Sequence, residues 1–226
     1  MWENVAIGGK TCRILQNGSA PCPTLYWGVA AGRDPWERLP ALIGRKPPYR
    51  LIAYEAADWN RDFSPWPAPA VFGAEPFAGE GARTLDWLLQ CCIPHVEAAC
   101  GAGQPRLLGG YSLAGLFSLW AFYESGAFQG VASCSGSLWY PGWDDFAQRH
   151  AAPENSLIYL SLGDKEERTR NRIMARVGDA TRAQYERARA EGRAARCTLE
   201  WNPGGHFNDA EWRMARGFAW LLKELF

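Results

Sequence analysis

The sequence predicts an α/β fold: a mainly parallel sheet with helices on both faces. Three observations carry this. Short runs rich in aromatic and branched residues alternate with longer stretches of helical period. The strand runs are apolar enough to be covered on both faces. No internal repeat or low-complexity linker divides the chain, so residues 1–226 read as one domain.

In chain order, TCRILQ is the first strand candidate and PTLYWGVA the second, ending at Gly28 before the loop AAGRDPW. YRLIAYEAADW follows, with an apolar centre from Leu51 to Tyr54. A long aromatic and proline-rich loop spans about residues 56–83. RTLDWLLQCCIPHVEAA then has apolar residues at Leu85, Leu88, Leu89, Cys92 and Ile93, a helical period. RLLGGYS is a short strand, and LAGLFSLWAFYES continues as a helix. GVASCS and SLIYLSLGD are strands, the second stopped by Gly163. The charged stretch from Glu166 to Gly192 reads as mostly helical. CTLEWNPGG is the last strand, and DAEWRMARGFAWLLKELF is an amphipathic helix.

Composition narrows the function. Lys+Arg and Asp+Glu both number 24, so no net charge draws the chain to nucleic acid. No apolar run is long enough to span a membrane, and the N-terminus has no signal-peptide pattern. Seven cysteines, with no C-x-x-C pair, read as free thiols in a reducing, cytoplasmic setting rather than as a zinc site or disulfide framework.

The chemistry points to Ser112. Gly110-Tyr111-Ser112-Leu113-Ala114-Gly115 lies between a strand and a helix, the setting in which a G-x-S-x-G pattern lifts a serine into view. The neighbours two places away must be small, and Gly110 and Ala114 are. The Leu113 N–H, opening the helix, is aimed where an oxyanion would form. A serine needs a base. Of the three histidines, His95 lies within a helix and His150 in a polar connection. His206 lies in a Gly-rich loop between the last strand and the last helix, which fits a Ser…acid…His order. The acid should leave the strand before it, where Glu166 and Asp164 compete. A second oxyanion donor is expected after PTLYWG, from Val29 or, alternatively, Ala30. Asp58, Trp59, Asn60, Tyr111 and Trp139 are candidates for the substrate pocket, with Trp143 on the same rim.

GGYSLAGLFSLWA, SCSGSLWY, YLSLGDKEERTRN and GGHFND, in that order, resemble the esterase family of α/β hydrolases that includes enterochelin-type siderophore esterases and esterase D-like enzymes. The resemblance runs from about Pro23 to the end. It implies an α/β-hydrolase fold and ester hydrolysis through an acyl-enzyme, with no metal or organic cofactor. A small soluble ester is the expected substrate, since the connection from Tyr140 to Asn155 is too short for a large lid. A monomer or homodimer fits equally. Thioesterase, amidase and acyltransferase chemistry would use the same residues, and a non-catalytic binding module would keep only the fold. A cysteine nucleophile at Cys91 or Cys92 beside His95 would have poor geometry on one helix.

Overall fold

The computed structural model describes residues 2–32, 37–45 and 47–225. Arg33–Trp36, within the loop AAGRDPW, lie outside them. Among the described residues, eight strands form one sheet: β1 (Glu3–Ile7), β2 (Lys10–Asn17), β3 (Thr24–Ala30), β4 (Tyr49–Ala56), β5 (Arg106–Tyr111), β6 (Gly130–Cys134), β7 (Leu157–Gly163) and β8 (Arg196–Asn202). Their order is β1-β2-β4-β3-β5-β6-β7-β8. The pairs β1/β2 and β2/β4 are antiparallel, and every other pair is parallel.

The helices are α1 (Leu39–Ile43), α2 (Trp59–Asp62), α3 (Gly81–Trp87), α4 (Ile93–Cys100), α5 (Leu113–Ser125), α6 (Trp143–Arg149), α7 (Val177–Glu191) and α8 (Ala210–Glu224). Strand periodicity assigns them to faces. Leu25, Trp27, Leu51, Leu107 and Tyr159 point to the side that α1 and α8 cover. Tyr26, Ile52, Tyr54, Leu108 and Ile158 point to the opposite side, which packs on α3, α4, α5, α6 and α7. Helix α5 is apolar on all sides and buried from Leu113 to Tyr123, because it lies between the sheet and an outer layer. No helix among the described residues is long and apolar enough to cross a membrane.

Four local readings change. Strand β1 was not expected from sequence; it forms because Gly8 and Gly9 both adopt positive φ (53° and 81°), as a two-residue hairpin loop requires. Strand β3 does not end at Gly28 but runs on to Ala30. Gly28 is needed for closeness instead: a Cβ there would stand 2.6 Å from the Phe63 ring. The helical run after Gly81 is continuous, but it widens to a π-turn over Leu88–Cys92, where Ile93 N–H donates to Leu88 O. The turn lies just ahead of Pro94, which has no N–H to give the ladder. The stretch from Glu166 is two 3₁₀ turns, Glu166–Arg168 and Met174–Arg176, before α7 begins. Asn171 Oδ1 accepts from the Ile173 and Met174 N–H groups and starts the second turn afresh.

Strand β3 pairs with β4 on one side and β5 on the other. The chain thus leaves β3 in one direction and returns on its far side, which opens a crevice at the C-terminal ends of β3 and β5. Ala30 and Ser112 stand at those two ends.

Candidate active site

Ser112 sits between β5 and α5 with φ 60° and ψ −124°, a conformation that a non-glycine residue adopts only when its surroundings impose it. They do so here. Ser112 N–H donates to Cys134 O on β6 at 3.0 Å. Ser112 O accepts from Gly115, Leu116 and Ser137 N–H at 3.0, 3.0 and 3.1 Å. Strand and helix then nearly touch: a Cβ on Gly110 would come within 2.2 Å of Ala114 O. That contact explains glycine at 110. Ala114 is accommodated because its backbone, not its methyl, makes the approach.

The bend brings Ser112 Oγ to 2.9 Å from His206 Nε2. His206 Nδ1 lies 2.7 Å from Glu166 Oε2. Glu166 is supplied by the 3₁₀ turn after β7, and its side chain is 4% exposed. Its other oxygen, Oε1, accepts from Ser135 Oγ at 2.7 Å, Gly163 N–H at 2.7 Å and Arg213 Nη1 at 3.1 Å. Burial alone would push the Glu166 carboxyl up. The His206 bond and charge, with the Ser135 and Gly163 donors, outweigh it and hold the carboxyl below its ordinary range. Asp164, the competitor, faces elsewhere: its Oδ1 accepts from Gly204 N–H at 2.8 Å and steadies the His206 loop from outside.

Three residues here were not singled out from the sequence: Ser135, Ser137 and Arg213. Ser135 has φ 45° and turns its hydroxyl toward Glu166. Tyr111, expected only as a pocket residue, lines the cavity and also donates its hydroxyl to His206 O at 2.7 Å. Burial pushes its phenol up to about 12, so it is neutral there.

Above Ser112 and His206 opens a cavity of about 950 Å³. Trp59, Phe72, Trp139 and Phe207 supply its aromatic lining, and Lys165 and Arg168 its cations. Asp58 and Asn60 do not line it; Asp58 caps α2 by accepting from Arg61 N–H. Trp143 does not line it either and packs against Phe146. The aromatic loop divides its residues between two tasks. Trp59 and Phe72 face the cavity, while Trp66 anchors the loop by donating to Pro141 O at 2.7 Å and accepting from Tyr140 Oη at 2.6 Å.

Val29 and Ala30, the two residues the sequence offers as second oxyanion donor, turn their N–H groups to opposite neighbours. In a parallel strand, alternate residues direct their N–H groups to the same neighbour. Thr24 N–H donates to Pro105 O beside β5, and Ala31 N–H donates to Ala56 O at β4. Parity therefore turns Val29 toward β4 and Ala30 toward the β5 side. Pairing with β5 reaches only Trp27↔Gly109, and Ala30, not Val29, lines the cavity. The other two histidines stand apart from this site. His95 is exposed on α4, while Cys92 is turned into the core. His150 stacks on Phe146 with ring centroids 4.0 Å apart.

With this geometry in view, likeness to known proteins decides the family. The family model described as "Putative esterase" matches residues 44–215, more than half of the chain. The chain belongs to that family. Its fold is the α/β-hydrolase fold, and the protein is a carboxylic-ester hydrolase. No curated protein sequence matches it. Among solved structures, this esterase is similar to an IroE-like serine hydrolase from Shewanella oneidensis, with a TM-score of 0.84 at 13% identity, covering 100% of this chain and 81% of that one. The siderophore hydrolase EstA from Aspergillus nidulans matches with a TM-score of 0.77 at 18% identity, over 95% and 90% of the two chains. The enterobactin esterase FES from Shigella flexneri matches with a TM-score of 0.72 at 20% identity, over 100% of this chain and 60% of that one. At such identities the likeness is one of fold.

Proposed function

We propose that this esterase works through a Ser112–His206–Glu166 triad and cleaves a small soluble ester that carries an anionic group. The hydrogen-bonded line from Ser112 Oγ through both imidazole nitrogens to Glu166, 2.9 and 2.7 Å, is the observation that carries the triad. His206 Nε2 takes the hydroxyl proton as Oγ bonds to the ester carbonyl carbon, and the carbonyl π pair moves onto oxygen. Leu113 N–H, at the start of the 13-residue α5, and Ala30 N–H receive that oxyanion. Collapse of the tetrahedral intermediate breaks the C–O bond to the alcohol, which leaves with the proton from His206. Water, deprotonated by the same imidazole, then frees the acid and restores Ser112. No step draws on a metal or organic cofactor.

The walls suggest the substrate. Trp59, Phe72, Trp139 and Phe207 offer an apolar seat, and 950 Å³ suits a small molecule. In a chain with no net charge, Lys165 and Arg168 at the mouth have no ion-pair partner among the described residues. A carboxylate on the substrate would supply one. The test is a panel of phenyl acetate, 4-acetoxybenzoate and the 4-nitrophenyl monoester of succinate, run beside labelling with a fluorophosphonate. We expect a phosphonyl adduct on Ser112 and a kcat/KM advantage of about 3–10-fold for one of the anionic esters, shrinking with salt and with K165E/R168E. An adduct elsewhere would refute the triad. Equal kcat/KM across the panel would refute the anionic preference alone.

A further inference from the structure

We propose that Arg213 is the positioning residue of the relay, joining the loop that carries His206 to the far oxygen of Glu166 without meeting substrate. The proposal rests on the triad reading above. Arg213 lies on α8 with no exposed surface and does not line the cavity. Its two terminal nitrogens reach two different parts of the site. Nη1 stands 3.1 Å from Glu166 Oε1 and 3.3 Å from both Tyr111 Oη and Ser135 Oγ. Nη2 donates to Pro203 O and Gly205 O, 3.1 Å each, immediately before His206. Tyr111 completes the clamp by donating to His206 O. Three carbonyls of one loop are thus held by a guanidinium and a phenol, and the same guanidinium fixes the carboxylate that must face the imidazole.

An arginine in this position is not explained by stability. Burying a guanidinium and a carboxylate together costs about as much desolvation as their attraction returns, and an apolar residue of like volume is often at least as stabilising. What it supplies is geometry. A planar fork reaches the carboxylate and the loop carbonyls at once; a lysine ammonium brings the charge to one point only.

The charge has its own consequence. The groups facing Glu166 are His206 from the loop, Arg213 from α8, Ser135 after β6 and the Gly163 N–H of β7, with Tyr111 at the end of β5 behind Ser135 and Arg213. Of these, Arg213 is the permanent cation. Without it, the charged form of the Glu166 carboxyl is held less firmly, and activity is lost earlier on acidification.

The experiment compares Arg213→Met and Arg213→Lys with the parent for kcat and KM across pH on a neutral ester, with Ser112→Ala in parallel and folding followed by circular dichroism. Arg213→Met should lower plateau kcat about 10–100-fold with KM little changed, and move the acid limb up by about one unit. Arg213→Lys should return the acid limb toward the parent while kcat stays reduced, which separates the charge from the fork. A Met variant whose acid limb does not move, and whose kcat falls only with the folded fraction, would leave Arg213 as packing and overturn the proposal. If Arg213→Met does not fold, Arg213→Lys decides: reduced kcat with an unmoved acid limb supports it, and parental kcat overturns it. Should Ser112→Ala retain activity, the triad itself falls; if it is inactive while both Arg213 variants behave as the parent, only the role of Arg213 falls.

Discussion

Ser112→Ala should lower kcat by roughly four to six orders of magnitude while KM changes little. The reason lies in how the hydroxyl is held. Ser112 Oγ is 2.9 Å from the only imidazole in the cavity, and its backbone is fixed in a strained bend by Cys134 on one side and α5 on the other. Alanine keeps that backbone but leaves no atom to form the acyl-enzyme. The residual rate is then water attack helped by the oxyanion donors proposed above, the Leu113 and Ala30 N–H groups, each such donor being worth about 3–4 kcal/mol in enzymes of this kind. His206→Ala should cost nearly as much, because a hydroxyl without its base is a weak nucleophile. The double variant should be no slower than either single one, since residues that act as one unit do not add. Steady-state rates on one activated ester, with each variant checked for a parental melting curve, decide it. A Ser112→Ala enzyme retaining more than about a hundredth of parental kcat would remove serine from the chemistry. Additive losses in the double variant would show two independent contributions instead of one relay.

Much of this was legible in the sequence because it depends on local rules. The bend at Ser112 announces itself through Gly110, Ala114 and the change from strand to helical period. His206 is marked by its loop between β8 and α8. What stayed hidden depends on pairing across the sheet. Choosing Ala30 over Val29 requires knowing which neighbour each N–H meets, and that parity exists only once β4 and β5 flank β3. Choosing Glu166 over Asp164 requires the 3₁₀ turn that swings one side chain inward and leaves the other at Gly204. Asp58 lies outside the cavity lining and caps α2, since a carboxylate before a short helix serves the cap as readily as a ligand. Arg213 did leave a trace. It shares the buried face of α8 with Met214, Gly217, Phe218 and Leu221, and a charge on an apolar face demands a buried partner.

Glu166→Gln should reduce kcat/KM by about 10³–10⁴-fold, whereas Asp164→Asn should stay within about tenfold of the parent. The amide keeps the shape but cannot stabilise the imidazolium, and its nitrogen can oppose the proper tautomer of His206. At position 164 an asparagine oxygen can still accept from Gly204 N–H, so the loop keeps its outer tether. Stability separates the two as well. Glu166→Gln strands the buried Arg213 guanidinium beside a neutral group, and breaking such a pair costs about 3–5 kcal/mol, on the order of 10 °C in Tm for a chain of this length. The pH dependence has a definite sign. Because folding holds the Glu166 carboxyl below its ordinary range, its contribution to stability is complete above that range and fades as pH falls through the lowered value. The stability gap between parent and Glu166→Gln should therefore be widest near neutrality and narrow in acid, as the parent protonates the same carboxyl. Urea midpoints across that interval measure it. A gap that widens on acidification, or a larger kinetic loss from Asp164→Asn than from Glu166→Gln, would transfer the acid's role away from Glu166.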